Sequence, residues 1–132
     1  GNVAARLLSA EETRSYDRVD KVDDVPCRPD FAMLVYPWTI YDSKTDDLVE
    51  GVKVPPTCPP TFIAHTDDDR SSSLGAVLFY AGLKRLKLPS ELHVYGNGGH
   101  GYGLRPITDS EISSWPGHAA HWLNRWMEKA GR

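Results

Sequence analysis

Thr61-Phe62-Ile63-Ala64-His65-Thr66-Asp67-Asp68-Asp69-Arg70 decides how the chain reads. Its first half, Thr61 to His65, is a buried-type strand around the apolar run Phe62-Ile63-Ala64. Its second half is a polar turn. Such runs suit strands buried on both faces, as in parallel sheets. The period then changes. From Ser71 to Lys87, residues Leu74, Val77, Leu78, Ala81 and Leu83 form a helical stripe. Ser71, Ser72 or Ser73 can cap that helix. Lys84, Arg85 and Lys87 sit in its last turns, where cations favour the helix dipole. Leu88-Pro89 stops it. A strand, a turn and a helix in this order make the unit from which parallel sheets are assembled.

The flanks repeat the pattern. Ser90 to Tyr95 alternates as a third strand and runs into the glycine-rich loop Gly96-Asn97-Gly98-Gly99-His100-Gly101-Tyr102-Gly103. Ser113 or Ser114 is placed to cap a last helix from about Trp115 to Lys129, and Pro116 falls in its first turn, where proline is tolerated. Toward the N-terminus, Phe31-Ala32-Met33-Leu34-Val35-Tyr36 is another buried-type strand before Pro37. Residues 1–10 read as a short helix and 11–29 as a loop. Residues 38–54 are mixed, and prolines at 55, 56, 59 and 60 make an extended connector. The order is helix, strand, linker, strand, helix, strand, loop, helix. It predicts an α/β fold: a mostly parallel sheet of about three strands with flanking helices.

Composition sets the outer bounds. The chain has 132 residues, 40% apolar and 25% charged, which is ordinary for one globular domain and excludes a coiled coil or a disordered tail. The net charge of −3 shows no basic excess, so no nucleic-acid partner is expected. No apolar run approaches about 18 residues, so no membrane span is expected. Two cysteines make neither a disulfide scaffold nor a metal spacing. Cys27 and Cys58 each precede a strand, and a disulfide or two separate thiols both remain open. Gly1 to Ala10 has no apolar core of a signal peptide, and the compartment is left open.

In open parallel sheets, ligands bind outside the carboxyl ends of the strands. The turn Asp67 to Asp69 follows one strand and the His100 loop follows the next. Alone, an Asp-rich turn is an ordinary solvated loop, and a histidine among glycines an ordinary turn residue. Together, a carboxylate can hold one imidazole nitrogen and leave the other as a general base. Trp38 and Tyr41 follow the first strand at the same edge, and Tyr102 adjoins His100. Trp38 and Tyr102 are therefore candidate walls of an acyl or sugar pocket. His118 and His121 are three apart on the last helix but lack a third ligand, so they read as packing or surface residues. The glycine loop runs into Leu104-Arg105-Pro106 rather than a helix, which argues against phosphate binding.

These residues resemble the C-terminal half of an α/β-hydrolase. The closest likeness is to the esterases and lipases related to hormone-sensitive lipase and to the acetyl-xylan and feruloyl esterases. That family ends a strand in His-Gly or His-Ala and places its triad aspartate four residues after the histidine, which here is Asp69. Its triad histidine lies in a Gly-Gly-His-Gly-Phe/Tyr turn, which here is His100. The order Ser…Asp…His is the one this fold uses. Gly1-Asn2-Val3-Ala4-Ala5 matches the last part of the family's Gly-x-Ser-Ala-Gly-Gly-Asn/His-Leu-Ala motif. The resemblance thus implies a nucleophile three residues upstream of Gly1. It implies that residues 1–132 are a single, partial domain lacking the N-terminal half and the nucleophile elbow.

The activity implied is hydrolysis of a carboxylic ester, short-chain or carbohydrate-linked, with no cofactor and no metal. By the same logic the chain is inactive alone. A peptidase of the prolyl-oligopeptidase type shares the Asp-then-His layout, and a non-catalytic interaction fragment of the same fold is the other alternative. Three strands leave open sheet edges, which proteins avoid. Besides a small-molecule ester, the expected partner is therefore the missing N-terminal half or a second copy in a homodimer.

Overall fold

A computed structural model describes residues 1–10, 16–26 and 28–129. Helix α1 (Asn2–Ser9) leads to strand β1 (Ala32–Val35), a hairpin of β2 (Tyr41–Asp42) and β3 (Asp47–Leu48), and strand β4 (Thr61–Thr66). Helix α2 (Leu74–Arg85), strand β5 (Ser90–Tyr95) and helix α3 (Trp115–Lys129) complete the fold. The main sheet has the order β1-β4-β5, and both pairings are parallel. All six residues of β4 are buried, as befits the central strand of a parallel sheet.

The sheet separates two apolar layers. On one face, Leu34 and Ile63 pack with Ala5 and Leu8 of α1 and with Ala76, Phe79 and Leu83 of α2. On the other, Phe62 and Ala64 pack with Ala119 and Trp122 of α3. Neighbouring strand residues feed opposite layers because side chains alternate across a sheet.

Two local expectations need correction. The buried face of α2 is Gly75, Ala76, Phe79 and Leu83, whereas Leu74 and Val77 are exposed. That helix is apolar almost all round, so spacing alone does not select its inner face. Contact does: a Cβ on Gly75 would lie 2.6 Å from Ile40 Cγ1, so only a residue without one lets the helix approach. Before α3, Ser113 Oγ accepts the Ile107 N–H and Ser114 Oγ donates to the Glu111 carbonyl. A 3-10 turn (Glu111–Ser114) precedes that helix, and Ser110 caps the turn by accepting from the Ile112 N–H. Finally, the mixed segment 38–54 contains the β2–β3 hairpin, too short for a period to show.

Cys27 lies outside the described residues, and so does its pairing with Cys58. Cys58 is buried, with Sγ 3.8 Å from Thr61 Oγ1. Among the described residues, no helix is long and apolar enough to cross a membrane, and no group of three or more ligating side chains could hold a metal ion.

Candidate active site

The site is built where β4 and β5 end together. Their register pairs Thr66 with Tyr95, and the Asp67 N–H donates to the Tyr95 carbonyl at 2.8 Å. The acidic turn and the glycine loop therefore leave the sheet side by side. Three successive aspartates then point to three different partners. Asp67 Oδ1 accepts from Ser73 Oγ at 3.2 Å. Asp68 accepts the N–H groups of Gly99 at 2.8 Å and Gly98 at 3.1 Å. Asp69 Oδ1 accepts the Ser71 N–H at 2.9 Å, and its Oδ2 accepts from His100 Nδ1 at 2.7 Å.

The Asp69–His100 pair is asymmetric. The Asp69 side chain is 0% exposed and that of His100 is 35% exposed. A sealed carboxylate fixes the proton on Nδ1, which leaves Nε2 as the acceptor nitrogen. The loop carrying His100 depends on its glycines. Gly98 and Gly99 have φ of 141° and 65°, a region open to glycine and strained for other residues. A Cβ on Gly98 would also lie 2.9 Å from Ile112 Cγ2. Thr66 Oγ1 donates to the Gly99 carbonyl at 2.6 Å. Gly99, the residue before His100, is thus held at both its N–H and its carbonyl. The Gly99 and Gly98 N–H groups also hold the exposed Asp68 carboxyl below its ordinary range.

The loop after β1 supplies the aromatic side. Tyr36 and Thr39 have positive φ of 39° and 49°, unusual for residues with side chains. Tyr36 meets the His100 ring edge-on at 5.0 Å, and Trp38 does so at 4.3 Å. Bonds from both sides hold this loop. Asn2 Nδ2 donates to the Trp38 carbonyl at 2.6 Å, and the Thr39 N–H donates to Ser71 Oγ at 2.7 Å. Ser71 therefore ties the aromatic loop to Asp69. The Asn2 bond brings the N-terminal end of α1 to the same sheet end as His100.

Four residues singled out from sequence thus fall as follows. Asp69 and His100 are bonded, and Trp38 is half-exposed against the imidazole. Tyr102 is not an open wall: it is 1% exposed, and its hydroxyl donates to the Ala64 carbonyl at 3.2 Å. Burial pushes its phenol far above the usual range. Its ring packs edge-on against Tyr36 at 4.8 Å, so it underlies the site. Tyr41 lies apart in the hairpin, where its hydroxyl donates to Asp46 at 2.8 Å. His118 is exposed and stacks on His93 at 4.6 Å.

Sequence reading missed Asp68, Thr66, Ser71 and Tyr36. Only Asp68 carried a signal, an acidic residue next to a turn that pairs with a Gly-Gly step.

Two solved structures fix the fold. The acetyl ester-xyloside bifunctional hydrolase from Caldicellulosiruptor lactoaceticus superposes on 96% of the chain with a TM-score of 0.69 and 28% identity. MGS-M1, an α/β hydrolase enzyme from a Medee basin deep-sea metagenome library, covers 94% with a TM-score of 0.69 and 23% identity. The chain has an α/β-hydrolase fold. A sugar hydrolase from Lactococcus lactis shares this α/β-hydrolase architecture over 95% of the chain, with a TM-score of 0.66 and 24% identity. The chain spans about half the length of each: 52%, 50% and 56%. Its strand–acid turn–helix–strand–histidine turn is consistent with the C-terminal part of the α/β-hydrolase fold. No protein-family model and no curated protein matches the chain.

Proposed function

We propose that this chain supplies the acid and the histidine of a serine-type carboxylic ester hydrolase. The observation that carries the proposal is the 2.7 Å bond from His100 Nδ1 to a fully buried Asp69 carboxylate at the carboxyl end of a parallel sheet. His100 Nε2 takes the proton of a serine hydroxyl as its oxygen attacks the ester carbonyl. The same proton passes to the departing alcohol as the acyl-enzyme forms. Water then attacks the acyl-enzyme, gives its proton to Nε2, and the serine is regenerated with release of the acid. Asp69 orients the ring and stabilises the imidazolium in both halves.

The serine is proposed to come from polypeptide preceding α1. The N-terminal end of that helix lies against the Trp38 loop, so a residue just upstream would approach His100. Ser71 does not fit that role. Its Oγ accepts the Thr39 N–H, and its own N–H holds Asp69. Trp38 offers a half-exposed ring beside His100, and we propose that it packs against the acyl or sugar part of the substrate. Support for an ester substrate comes from the Caldicellulosiruptor protein, named for acetyl ester and xyloside hydrolysis. The outer edge of β1 pairs with no strand among the described residues. We propose that the serine-bearing half, or a second copy of this chain, covers that edge.

The test is turnover of p-nitrophenyl acetate and labelling by a fluorophosphonate probe. It compares the 132-residue chain with a chain extended upstream of Gly1 through a serine elbow. Turnover and labelling are expected in the extended chain only. Activity of the 132 residues that survives mutation of every serine would overturn the proposal. So would an extended chain that is folded, inactive and unlabelled.

A further inference from the structure

His65 is a titratable side chain in the core that the proposed chemistry does not use. It follows the apolar residues Phe62-Ile63-Ala64 in β4, is 0% exposed, and stands four residues before Asp69. Its Nδ1 lies 3.0 Å from the Thr66 nitrogen and 2.9 Å from the Thr66 carbonyl oxygen. Its Nε2 is buried without a hydrogen-bond partner among the described residues. That nitrogen stands 3.9 Å from Asp69 Oδ2, the oxygen that accepts from His100.

The Asp69 carboxylate selects the tautomer. At Thr66, Nδ1 can accept from the N–H or donate to the carbonyl oxygen, so that residue admits either form. At Asp69 the two forms differ: a proton on Nε2 faces the anion. A lone pair there would face a carboxylate in a dry interior, where such repulsion is weakly screened.

We infer that His65 is a positioning residue, whose Nε2–H holds the Asp69 carboxylate in the orientation that receives His100. At 3.9 Å the contact is beyond hydrogen-bond reach and acts as an N–H dipole directed at an anion. A movement of about 1 Å would close it to a hydrogen bond. The catalytic meaning of this role rests on the hydrolase reading proposed above. The geometry itself involves only residues of this chain.

The experiment is NMR of the imidazole protons and nitrogens in the 132-residue chain and in His65→Phe, His65→Gln and His65→Asn. In the parent chain, the nitrogen shifts of His65 should show the proton on Nε2. Protonation of Nδ1 alone would overturn the proposal whatever the variants do. His65→Phe keeps the ring shape and removes the N–H. The downfield proton between His100 and Asp69 should then exchange with water about tenfold faster, a loss of about 1.36 kcal/mol.

Glutamine can place an amide N–H near the position of Nε2 and should restore slow exchange. Asparagine is too short to do so and should not. Folded His65→Phe with unchanged exchange overturns the proposal. If that variant does not fold, the Gln and Asn variants decide, since equal exchange in those two also overturns it. None of these readouts requires a serine or turnover, so failure here is distinct from failure of the hydrolase reading.

Discussion

Among the described residues, two imidazoles are hydrogen-bonded to carboxylates, and the two pairs differ in everything except their chemistry. At the strand ends, His100 Nδ1 bonds Asp69 at 2.7 Å, and the carboxylate is sealed from water. On the α3 face of the sheet, His93 Nε2 bonds Glu91 at 2.9 Å, with both side chains part-exposed at 25% and 32%. Glu91 gives its other oxygen to Arg125 at 2.9 Å. Burial raises the Glu91 carboxyl, but the bonds and charges of His93 and Arg125 outweigh it and hold the group below its ordinary range. The His93 ring is covered by His118 at 4.6 Å and by Phe62 at 5.3 Å. A histidine–carboxylate bond alone therefore does not mark a base. What distinguishes Asp69–His100, among the described residues, is a carboxylate with no competing cation bonded to it and a part-exposed imidazole with no hydrogen bond at its other nitrogen.

The largest effect should come from breaking the first pair. In an enzyme that includes the serine, Asp69→Asn or His100→Ala should lower kcat by about 10⁴-fold, because the imidazole loses its orientation or is absent. His93→Ala should leave kcat unchanged. Steady-state turnover of p-nitrophenyl acetate by all three variants checks this, and equal losses would erase the distinction between the pairs.

A smaller effect should follow from Gly98→Ala. Its φ of 141° and the 2.9 Å approach to Ile112 predict destabilisation of about 1–3 kcal/mol. Urea denaturation should show a lower midpoint with an unchanged slope.

The acid limb of stability sharpens the comparison further. Asp68 and Glu91 both have carboxyls held below their ordinary range in the fold. Each therefore contributes stability that is present above its unfolded pKa and lost as pH falls through its folded pKa. Asp68→Asn and Glu91→Gln should each flatten the decline of stability on acidification, measured by urea midpoints at successive pH values. Only Asp68→Asn should also perturb the amide shifts of Gly98 and Gly99. The smallest effect belongs to Arg125→Ala. Its ion pair with Glu91 is part-exposed, and its loss should cost about 0.2–1 kcal/mol.

Much of this was legible in the sequence, and the gaps have identifiable causes. The strands announced themselves because unbroken apolar runs such as Phe31 to Tyr36 fit a buried parallel strand. The acidic turn and His100 were legible because they follow adjacent strands, and only the resemblance picked out Asp69 within that turn. The division of labour among Asp67, Asp68 and Asp69 was not, since three identical side chains receive their partners from turn geometry. Tyr102 was misplaced for a similar reason. A tyrosine next to a glycine turn can face solvent or the core, and only packing beneath Tyr36 decides which. The inner face of α2 was hidden because its sequence is apolar on nearly every side. His65 read as the last residue of a strand, and its relation to Asp69 appears only once the turn folds back on it.

The most direct test of the difference between the two pairs is covalent labelling. A fluorophosphonate reacts with a serine only when a base activates its hydroxyl. With a serine-bearing, folded enzyme, labelling should disappear in His100→Ala and proceed at the parent rate in His93→Ala. Undiminished labelling of His100→Ala, or equal loss in both variants, would contradict the assignment of His100 as the base.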